Sequence, residues 1–444
     1  MLYHIVTLGC AKNVADSERI ARVLGAGSHR EVGEPAAADV VIVNTCGFID
    51  AAKEESVETI LELAAGKRDG QRLVVAGCLT ALHGEELRSE IPEIDAIFGA
   101  EDWAGIGAYA RTVEPLRLDA QRYDIPETSR APRPSAYLKI SDGCNAPCTF
   151  CIIPKMKGKL HSTPADELVD EARRLAGEGV REIVLVAQDS TDYGRDLGLR
   201  DALPDLLERL SVAVLEVPWL RIMYAYPGHV SRRLAETMAR LPNVVPYIDV
   251  PLQHGAPSVL RRMKRPSNDA MVREMIATLR ETVPDIAIRT TFIVGYPAET
   301  EDEFHQLLAF VREMEFDRVG CFMFSPQSES PAAHEPGQVP EKIKRRRQRQ
   351  LMEVAQQVSL IKNRRMVGRE IDVLVESEST RATGPRGEAG GLVAVGRSYR
   401  DAPEVDGLVL LEGDHRPGDF VRARVTAAMA YDLVAAPVEA AVTG

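Results

Sequence analysis

The sequence lacks several features that would place it in a special class of protein. No apolar run approaches the ~18 residues of a membrane span, and no basic segment precedes the first apolar residues at the N-terminus. Lys and Arg number 54 against 66 Asp and Glu, a formal net charge of −12. General binding to nucleic acid usually needs an excess of basic residues. We therefore expect a cytoplasmic protein with no membrane partner and with nucleic acid not its primary partner.

Cysteine is scarce, with seven in 444 residues. In a reducing cytoplasm such cysteines are expected to be metal ligands or core residues rather than disulfides. The odd number fits six ligands and one further residue. That residue is predicted to be Cys321, which lies inside an apolar strand as a core thiol.

The hydrophobic pattern predicts an α/β fold with three domains. Residues 1–120 alternate short apolar runs with helical stretches, which predicts a parallel sheet covered by helices. Residues 121–135 are rich in Pro, Arg and Ser and read as a linker. Residues 136–366 repeat the alternation six times, which favours a partial (β/α)6 barrel or a full one. Residues 367–437 change to a period of two with Gly and Pro turns, typical of a small antiparallel β-barrel.

The strongest motif is a C-x3-C-x2-C loop, here called the central triplet: Cys144, Cys148 and Cys151. It follows the first strand of the middle domain. Three thiolates can hold a 4Fe–4S cluster and leave one iron open to another ligand. A structural zinc site is the alternative, but zinc usually takes four protein ligands. The nearest candidate for a fourth ligand, His161, lies ten residues beyond the motif.

Three further cysteines, the N-terminal triplet, each follow a predicted strand: Cys10, Cys46 and Cys78. The carboxyl ends of parallel strands lie along one edge of a sheet, where ligands of open α/β sheets gather. These cysteines can therefore meet although they are distant along the chain. We favour a second 4Fe–4S cluster with an open iron over the alternative of three buried core thiols.

Charge is unevenly distributed near the C-terminus. Residues 342–349 form a basic run, expected to be the solvated face of a helix whose apolar side packs on the barrel. From residue 367 to the end there are eight Arg and no Lys against thirteen acidic residues. An RNA-binding barrel would normally be basic. The acidic barrel suits a basic protein partner, because complementary charge favours encounter and orientation. A merely solvated acidic surface is the alternative.

The central triplet, with Phe150 inside it, resembles the radical S-adenosylmethionine (SAM) superfamily. With the N-terminal triplet and the final barrel included, the whole chain resembles the methylthiotransferases of that superfamily. Its three parts are similar to their N-terminal domain, radical SAM core and TRAM domain. The resemblance implies that SAM binds the open iron of the central triplet's cluster and that Phe150 packs near its adenine.

Two main branches of that family differ in substrate. One modifies tRNA adenosine, and the other modifies an aspartate of small ribosomal subunit protein 12. Three stretches resemble the ribosomal-protein branch: Cys151–Gly158, Gln188–Gly194 and Asp249–His254. The last reads Asp-Val-Pro-Leu-Gln-His, where the tRNA branch usually has Leu-Pro-Val-Gln-Ser-Gly, and it is the sharpest discriminator.

The resemblance implies the chemistry. One SAM methylates a sulfur on the cluster of the N-terminal triplet. A second SAM, at the central triplet, is cleaved to a 5′-deoxyadenosyl radical that abstracts a β-hydrogen of the aspartate. The substrate radical then takes the methylthio group. An external one-electron donor such as a flavodoxin or ferredoxin is also implied.

Four polar residues near predicted strand ends are candidates for contacts with SAM or substrate, from their placement alone: Gln188, Asp189, Gln253 and Arg289. A structural hydrogen bond is the equally weighted alternative for each.

Two other functions remain open at this stage. One is methylthiolation of tRNA adenosine with the same cofactors, and the other is a non-enzymatic iron–sulfur scaffold with a barrel that binds RNA or protein. A scaffold has no need of incompletely ligated clusters, whereas both triplets lack a fourth protein ligand. The sulfur donor, and whether the substrate protein is free or in the ribosome, are not indicated.

Overall fold

The computed structural model describes residues 1–116, 133–383 and 389–438. Most of the predicted linker, residues 121–132, lies outside these ranges. The N-terminal part has a five-stranded, wholly parallel sheet in the order β2-β1-β3-β4-β5. Its strands and helices are β1 (Leu2–Thr7), α1 (Ala11–Ala26), β2 (Arg30–Glu31), β3 (Val40–Thr45), α2 (Asp50–Ala65), β4 (Arg72–Gly77), α3 (Cys78–Glu90), β5 (Ala96–Ile97) and α4 (Trp103–Ala110). The central strand β3 is buried throughout, as expected for a run of β-branched residues covered by helices on both faces.

The middle part is an open barrel of six parallel strands. The order β13-β12-β11-β10-β9-β6 leaves β6 and β13 as the two ends of the sheet, which confirms the predicted partial barrel. A short ribbon of β7 and β8 lies beside it. The elements are β6 (Ser135–Lys139), β7 (Ser141–Asp142), α5 (Ile153–Met156), β8 (His161–Ser162), α6 (Ala165–Gly177), β9 (Glu182–Val186), α7 (Leu203–Ala213), β10 (Trp219–Ile222), α8 (Arg232–Arg240), β11 (Val244–Asp249), α9 (Pro257–Arg262), α10 (Asp269–Thr282), β12 (Ala287–Val294), α11 (Glu301–Met314), β13 (Arg318–Met323) and α12 (Glu341–Arg364).

The basic helix α12 differs from the sequence expectation. Two of its cations are buried rather than solvated: the Lys344 ammonium donates to the Phe324 carbonyl at 2.6 Å, and Arg347 pairs with Glu299 at 3.1 Å. Their charges are matched by groups of the barrel, and they fasten α12 to it. The basic residues of α12 therefore include buried ones that attach the helix to the barrel as well as ones that face solvent. No helix in the described ranges is long and apolar enough to cross a membrane.

The C-terminal part is a small barrel in the strand order β14-β18-β19-β17-β16-β15, with an additional β14–β16 pairing. One pair, β17–β19, is parallel, so the sheet is mixed rather than wholly antiparallel as predicted. The two strands of this pair are not joined by a hairpin, since β18 intervenes in the chain and pairs antiparallel with β19. The strands are β14 (Glu370–Val375), β15 (Thr380–Thr383), β16 (Ala389–Arg397), β17 (Val409–Glu412), β18 (Phe420–Ala428) and β19 (Leu433–Pro437).

The connection between β16 and β17 joins this small barrel to the larger one. Ala402 packs in one apolar group with Val184, Tyr247 and Ala287 of the (β/α)6 strands. The Tyr247 hydroxyl donates to Asp406 at 2.7 Å, and Arg318, at the start of β13, pairs with Asp401. The C-terminal domain thus covers the amino ends of the barrel strands, and their carboxyl ends are left for the site.

Candidate functional site

The N-terminal triplet lies at the carboxyl edge of the first sheet. Cys10 follows β1, Cys46 follows β3, and Cys78 begins α3 directly after β4. Because β1, β3 and β4 are adjacent parallel strands, the three residues share one edge. Gly9 shows how closely two of the loops approach: a Cβ atom added there would lie 2.9 Å from the Cys46 sulfur. Glycine is required at this position because the backbone has φ +94° and leaves no space for a side chain.

Hydrogen bonds join the loops of Cys10 and Cys46. The Asn13 amide donates to the carbonyls of Leu8 at 2.8 Å and Thr45 at 2.9 Å. Asn44 in turn donates to the Asn13 carbonyl at 2.8 Å. The Ser56 hydroxyl donates to the Cys46 carbonyl at 2.9 Å and accepts from its backbone N–H at 3.1 Å. The edge is therefore preorganised by side chains close to the cysteines: Asn13 and Asn44 stand three and two positions from them in sequence, and Ser56 reaches Cys46 from α2.

The thiols of this triplet differ in exposure. Cys10 is exposed, whereas Cys46 and Cys78 are buried. Burial raises the pKa of Cys46 above its ordinary value, and it raises the pKa of Cys78 to about 12 although Lys157 acts in the opposite direction. At neutral pH these two thiols are uncharged in the protein alone. Metal ligation requires the thiolate, so cluster binding would release their protons.

The central triplet lies on the loop between β7 and α5, at the carboxyl end of β6. All three of its thiols are partly buried. The Cys144 sulfur accepts the Ala146 N–H, and the Cys151 sulfur accepts the Ile153 N–H, each at 3.4 Å. Burial raises the pKa of Cys144, and that of Cys151 to about 12. The loop thus already supplies N–H donors to two of its three sulfurs.

The loop is anchored to other barrel segments. The backbone N–H of Thr149 donates to the Met263 carbonyl at 3.2 Å, and its hydroxyl lies 2.8 Å from that of Tyr296. The Arg265 guanidinium donates to the Cys148 sulfur at 3.7 Å and packs over the Tyr226 ring at 4.1 Å. Arg265 is a cation in contact with a predicted cluster ligand, and no sequence pattern had singled it out.

The two triplets border the same interface. Cys78 packs in one apolar group with Ile152 and Met156, which immediately follow the central triplet. Lys157 forms a buried pair with Asp16 of α1 at 3.1 Å and with Asp142 of β7 at 2.8 Å. Lys139 contacts the same two carboxylates. These contacts seat the N-terminal sheet on the carboxyl end of the barrel, so the two predicted cluster sites face one another.

Lys12 enters the space between them. It sits in the first turn of α1, two residues after Cys10, and its ammonium lies 3.9 Å from the centre of the Tyr224 ring, just beyond β10. Burial lowers the pKa of Lys12, but Cys10, Tyr224 and Asp142 outweigh that effect and the net shift is upward. Lys12 is therefore a cation at neutral pH. No sequence pattern had singled out this lysine.

Within the described ranges, no group of three His, Cys, Asp or Glu side chains is placed to hold a metal ion. The fit of the triplets to clusters rests instead on their donor chemistry. Each supplies three thiols and no fourth, which matches an iron–sulfur cluster whose last iron takes an external ligand.

Gln188 and Asp189 follow β9 at the carboxyl edge, as their placement predicted. The Gln188 amide donates to Asp142 at 3.1 Å. The Asp189 carboxylate accepts the Thr191 N–H at 2.9 Å and the His229 ring nitrogen at 3.0 Å. Both residues thus make structural hydrogen bonds in the protein alone. A role of either residue in SAM or substrate binding stays a prediction.

The remaining candidates have different surroundings. Arg289 lies inside the barrel and donates to Asp249 at 2.9 Å and to Asp406 of the C-terminal domain at 3.2 Å. Its guanidinium is therefore engaged by two carboxylates. Gln253 follows β11 with φ +74° and is partly exposed, and its backbone bridges to β12. Phe150 packs beside Tyr296 and Phe324.

The stretch that best distinguished the two branches is largely internal. Asp249 pairs with Arg289, and His254 is buried with its Nδ1 accepting the Ala256 N–H at 2.9 Å. Burial lowers the pKa of His254 to about 3, so the ring is neutral. These two residues shape the barrel end rather than contact the space between the triplets.

Three family models match the chain in the order of the predicted domains. They are the uncharacterized protein family UPF0004 over residues 2–99, the radical SAM superfamily over 138–311, and the TRAM domain over 367–438. Among solved structures, the radical SAM methyltransferase TsrM from Kitasatospora setae superposes with a TM-score of 0.56 at 13% identity. That match covers 88% of this chain and 80% of TsrM, and at such identity it shows the fold alone.

Curated relatives match over almost the whole length. The chain is 46% identical to a protein of Roseiflexus sp. (strain RS-1), covering 99% of this chain and 98% of the relative. It is 45% identical to one of Chloroflexus aurantiacus, covering 98% and 99%. Both carry the name ribosomal protein uS12 methylthiotransferase RimO. Identity at this level over the full length shows that the chain belongs to the family of ribosomal protein uS12 methylthiotransferases.

Proposed function

We propose that this protein replaces one β-hydrogen of an aspartate in ribosomal protein uS12 by a methylthio group. The observation that carries the proposal is the arrangement of two cysteine triplets across one interface, each without a fourth protein thiol. A single open cluster would suffice for radical formation, whereas a second one beside it provides a place for the sulfur that is transferred. The names of the relatives support uS12 as the substrate.

In this proposal Cys144, Cys148 and Cys151 hold one 4Fe–4S cluster with SAM, and the N-terminal triplet holds the other. When bound, these groups supply the radical chemistry needed to break an unactivated C–H bond and form C–S. The protein itself positions the two cluster sites relative to each other and encloses the space between them. The ion pairs of Lys139 and Lys157 with Asp16 and Asp142 hold the two sites in register, and proximity of this kind lowers the barrier for the transfer.

The partners follow from charge and compartment. The acidic C-terminal domain suits a basic ribosomal protein, because opposite charges steer and orient the encounter. A ribosomal substrate implies that the enzyme works in the cytoplasm. An external one-electron donor, such as a flavodoxin or ferredoxin, completes the system.

The decisive experiment incubates the reconstituted protein anaerobically with SAM, a reductant and one of two substrates. One is a uS12 peptide that contains the target aspartate, and the other is a tRNA anticodon stem-loop. We expect a mass gain equal to CH2S on the peptide, located to the aspartate by fragmentation. The same gain on the RNA alone would replace the proposal by tRNA methylthiolation, and no gain on either would reject enzymatic methylthiolation.

A further inference from the structure

The most informative unassigned group is the Lys12 ammonium. In the described ranges no carboxylate lies within 4.0 Å of its nitrogen, whereas Lys139 and Lys157 nearby each have two. The Lys12 side chain is only partly exposed, so water does not fully solvate its charge. A partly buried cation with no carboxylate beside it indicates that an anion is supplied from outside the chain.

Lys12 connects the N-terminal domain with the central barrel. Its backbone belongs to the N-terminal triplet, since Cys10 caps the helix whose first turn contains Lys12. Its ammonium reaches the barrel, where the ring of Tyr224 fixes it through a cation–π contact at 3.9 Å. The main chain of Lys12 thus belongs to the domain of one triplet, and its side chain contacts the domain that carries the other. The charge therefore lies between the two predicted cluster sites.

We propose that Lys12 binds the side-chain carboxylate of the substrate aspartate and so places its β-carbon between the two triplets. This inference rests on the proposed function and deepens it. The carbon that exchanges hydrogen for sulfur must be near both sites at once, and in aspartate this carbon is bonded directly to the carboxylate. A group that grips the carboxylate thus fixes the reacting carbon one bond away. Lys12 is a substrate-binding residue in this scheme, since it contacts the aspartate directly and exchanges no atom with it.

The backbone conformation of Tyr224 supports the same role for Lys12. Tyr224 has φ +62°, a left-handed conformation that is uncommon for an aromatic residue. It is held there by hydrogen bonds, with its N–H donating to Asp249 at 3.4 Å and its carbonyl accepting from Ser190 at 2.9 Å. Residues with strained backbone dihedral angles cluster at functional sites, where the strain holds a side chain in one orientation. Here the oriented side chain is the Tyr224 ring, on which the Lys12 ammonium packs.

The test compares four proteins in full-length, cluster-loaded form: the wild type, Lys12→Met, Lys12→Arg and Lys155→Met. Lys155 is an exposed lysine close by on α5 and serves as the matched control. The probes are the uS12 peptide and the same peptide with its target aspartate replaced by asparagine. Peptide affinity is measured by fluorescence anisotropy without SAM or reductant, so that one readout does not depend on turnover.

We expect Lys12→Met to weaken binding of the aspartate peptide by about 30- to 100-fold, the range for a lost hydrogen bond between charged groups. Lys12→Arg should recover part of the loss, and Lys155→Met should match the wild type. The asparagine peptide should bind Lys12→Met and wild type within about twofold, because the two changes remove the same contact. In turnover, kcat/KM should fall mainly through KM.

Several outcomes would overturn the inference. Additive effects of the two replacements would show that Lys12 and the carboxylate do not meet. A weaker affinity for SAM, or less 5′-deoxyadenosine formed without peptide, would assign Lys12 to the SAM carboxylate instead. A loss of iron or a changed cluster spectrum in both Lys12 variants would assign it to the clusters. If wild type fails to modify the peptide, the proposed function itself fails. If wild type succeeds and Lys12→Met equals it, only the inference about Lys12 fails.

Discussion

Arg397, the last residue of β16 in the C-terminal barrel, forms a buried ion pair at 2.5 Å with Glu182, the first residue of β9 in the central barrel. Both side chains are essentially inaccessible to solvent. Glu182 also accepts from Arg221 at 2.7 Å, and Arg397 also pairs with Glu376 at 2.7 Å. One carboxylate thus joins strands β9 and β10 of the central barrel to the C-terminal domain.

Replacing Glu182 should destabilise the protein strongly. Glu182→Gln leaves two buried guanidinium groups without their shared carboxylate, a class of change that costs about 3–5 kcal/mol. The free energy of unfolding in urea measures the loss. Glu370→Gln is the matched control because Glu370 also contacts two arginines, Arg422 and Arg424, but on the exposed face of β14. That control should lose no more than about 1 kcal/mol. Equal losses would show that the buried link carries no special weight.

The Glu182 carboxylate should also make the free energy of unfolding depend on pH in the acidic range. Burial raises the pKa of Glu182, but Arg397 and Arg221 outweigh this effect and lower it to about 2. The folded pKa is below the unfolded one, ordinarily ~4.3. The contribution is therefore complete above about pH 4.5 and is lost as pH falls towards about 2. We expect the stability difference between wild type and Glu182→Gln to shrink between pH 5 and pH 3, measured by urea unfolding. A difference that stays constant or grows would contradict this assignment.

Iron content should divide between the two triplets. Anaerobic reconstitution is expected to give about eight iron atoms per chain, and replacing all three cysteines of either triplet by serine should leave about four. Cys321→Ser is the control and should retain about eight, since Cys321 lies in β13 and packs against the core. Iron and sulfide assays with electron paramagnetic resonance of the reduced protein provide the measurement. About four iron atoms in wild type that survive loss of the N-terminal triplet would reject a second cluster.

Arg265 should raise the reduction potential of the cluster at the central triplet. Its guanidinium donates to the Cys148 sulfur, and both a hydrogen bond and a positive charge favour the reduced, more negative cluster. We expect Arg265→Met to lower the midpoint potential by about 50–100 mV, the equivalent of about 1–2 kcal/mol for one electron. Redox titration in a background without the N-terminal triplet isolates the signal. Arg261→Met, an exposed position on α9, serves as the control. An unchanged potential in Arg265→Met would mean that the contact does not tune the cluster.

Local sequence patterns anticipated much of the fold. The six strand–helix repeats predicted over residues 136–366 correspond to the six parallel strands of the central sheet. Apolar periodicity and glycine or proline breaks are local signals, so they report each element in place. The parallel β17–β19 pair was missed because pairing direction depends on where a later strand returns, which no local period encodes.

For the site, the sequence by itself determined which residues are the candidate cluster ligands. Six cysteines stand directly after strands or in one short loop, and parallel topology alone brings strand ends to one edge. Tertiary structure decided how the parts face each other. It placed Lys12 of the first domain over Tyr224 of the barrel, and it paired Arg289 with Asp406, far along the chain, where placement alone had suggested a cofactor contact. These contacts join segments that are distant in sequence, and their partners are set by packing between domains rather than by any local pattern.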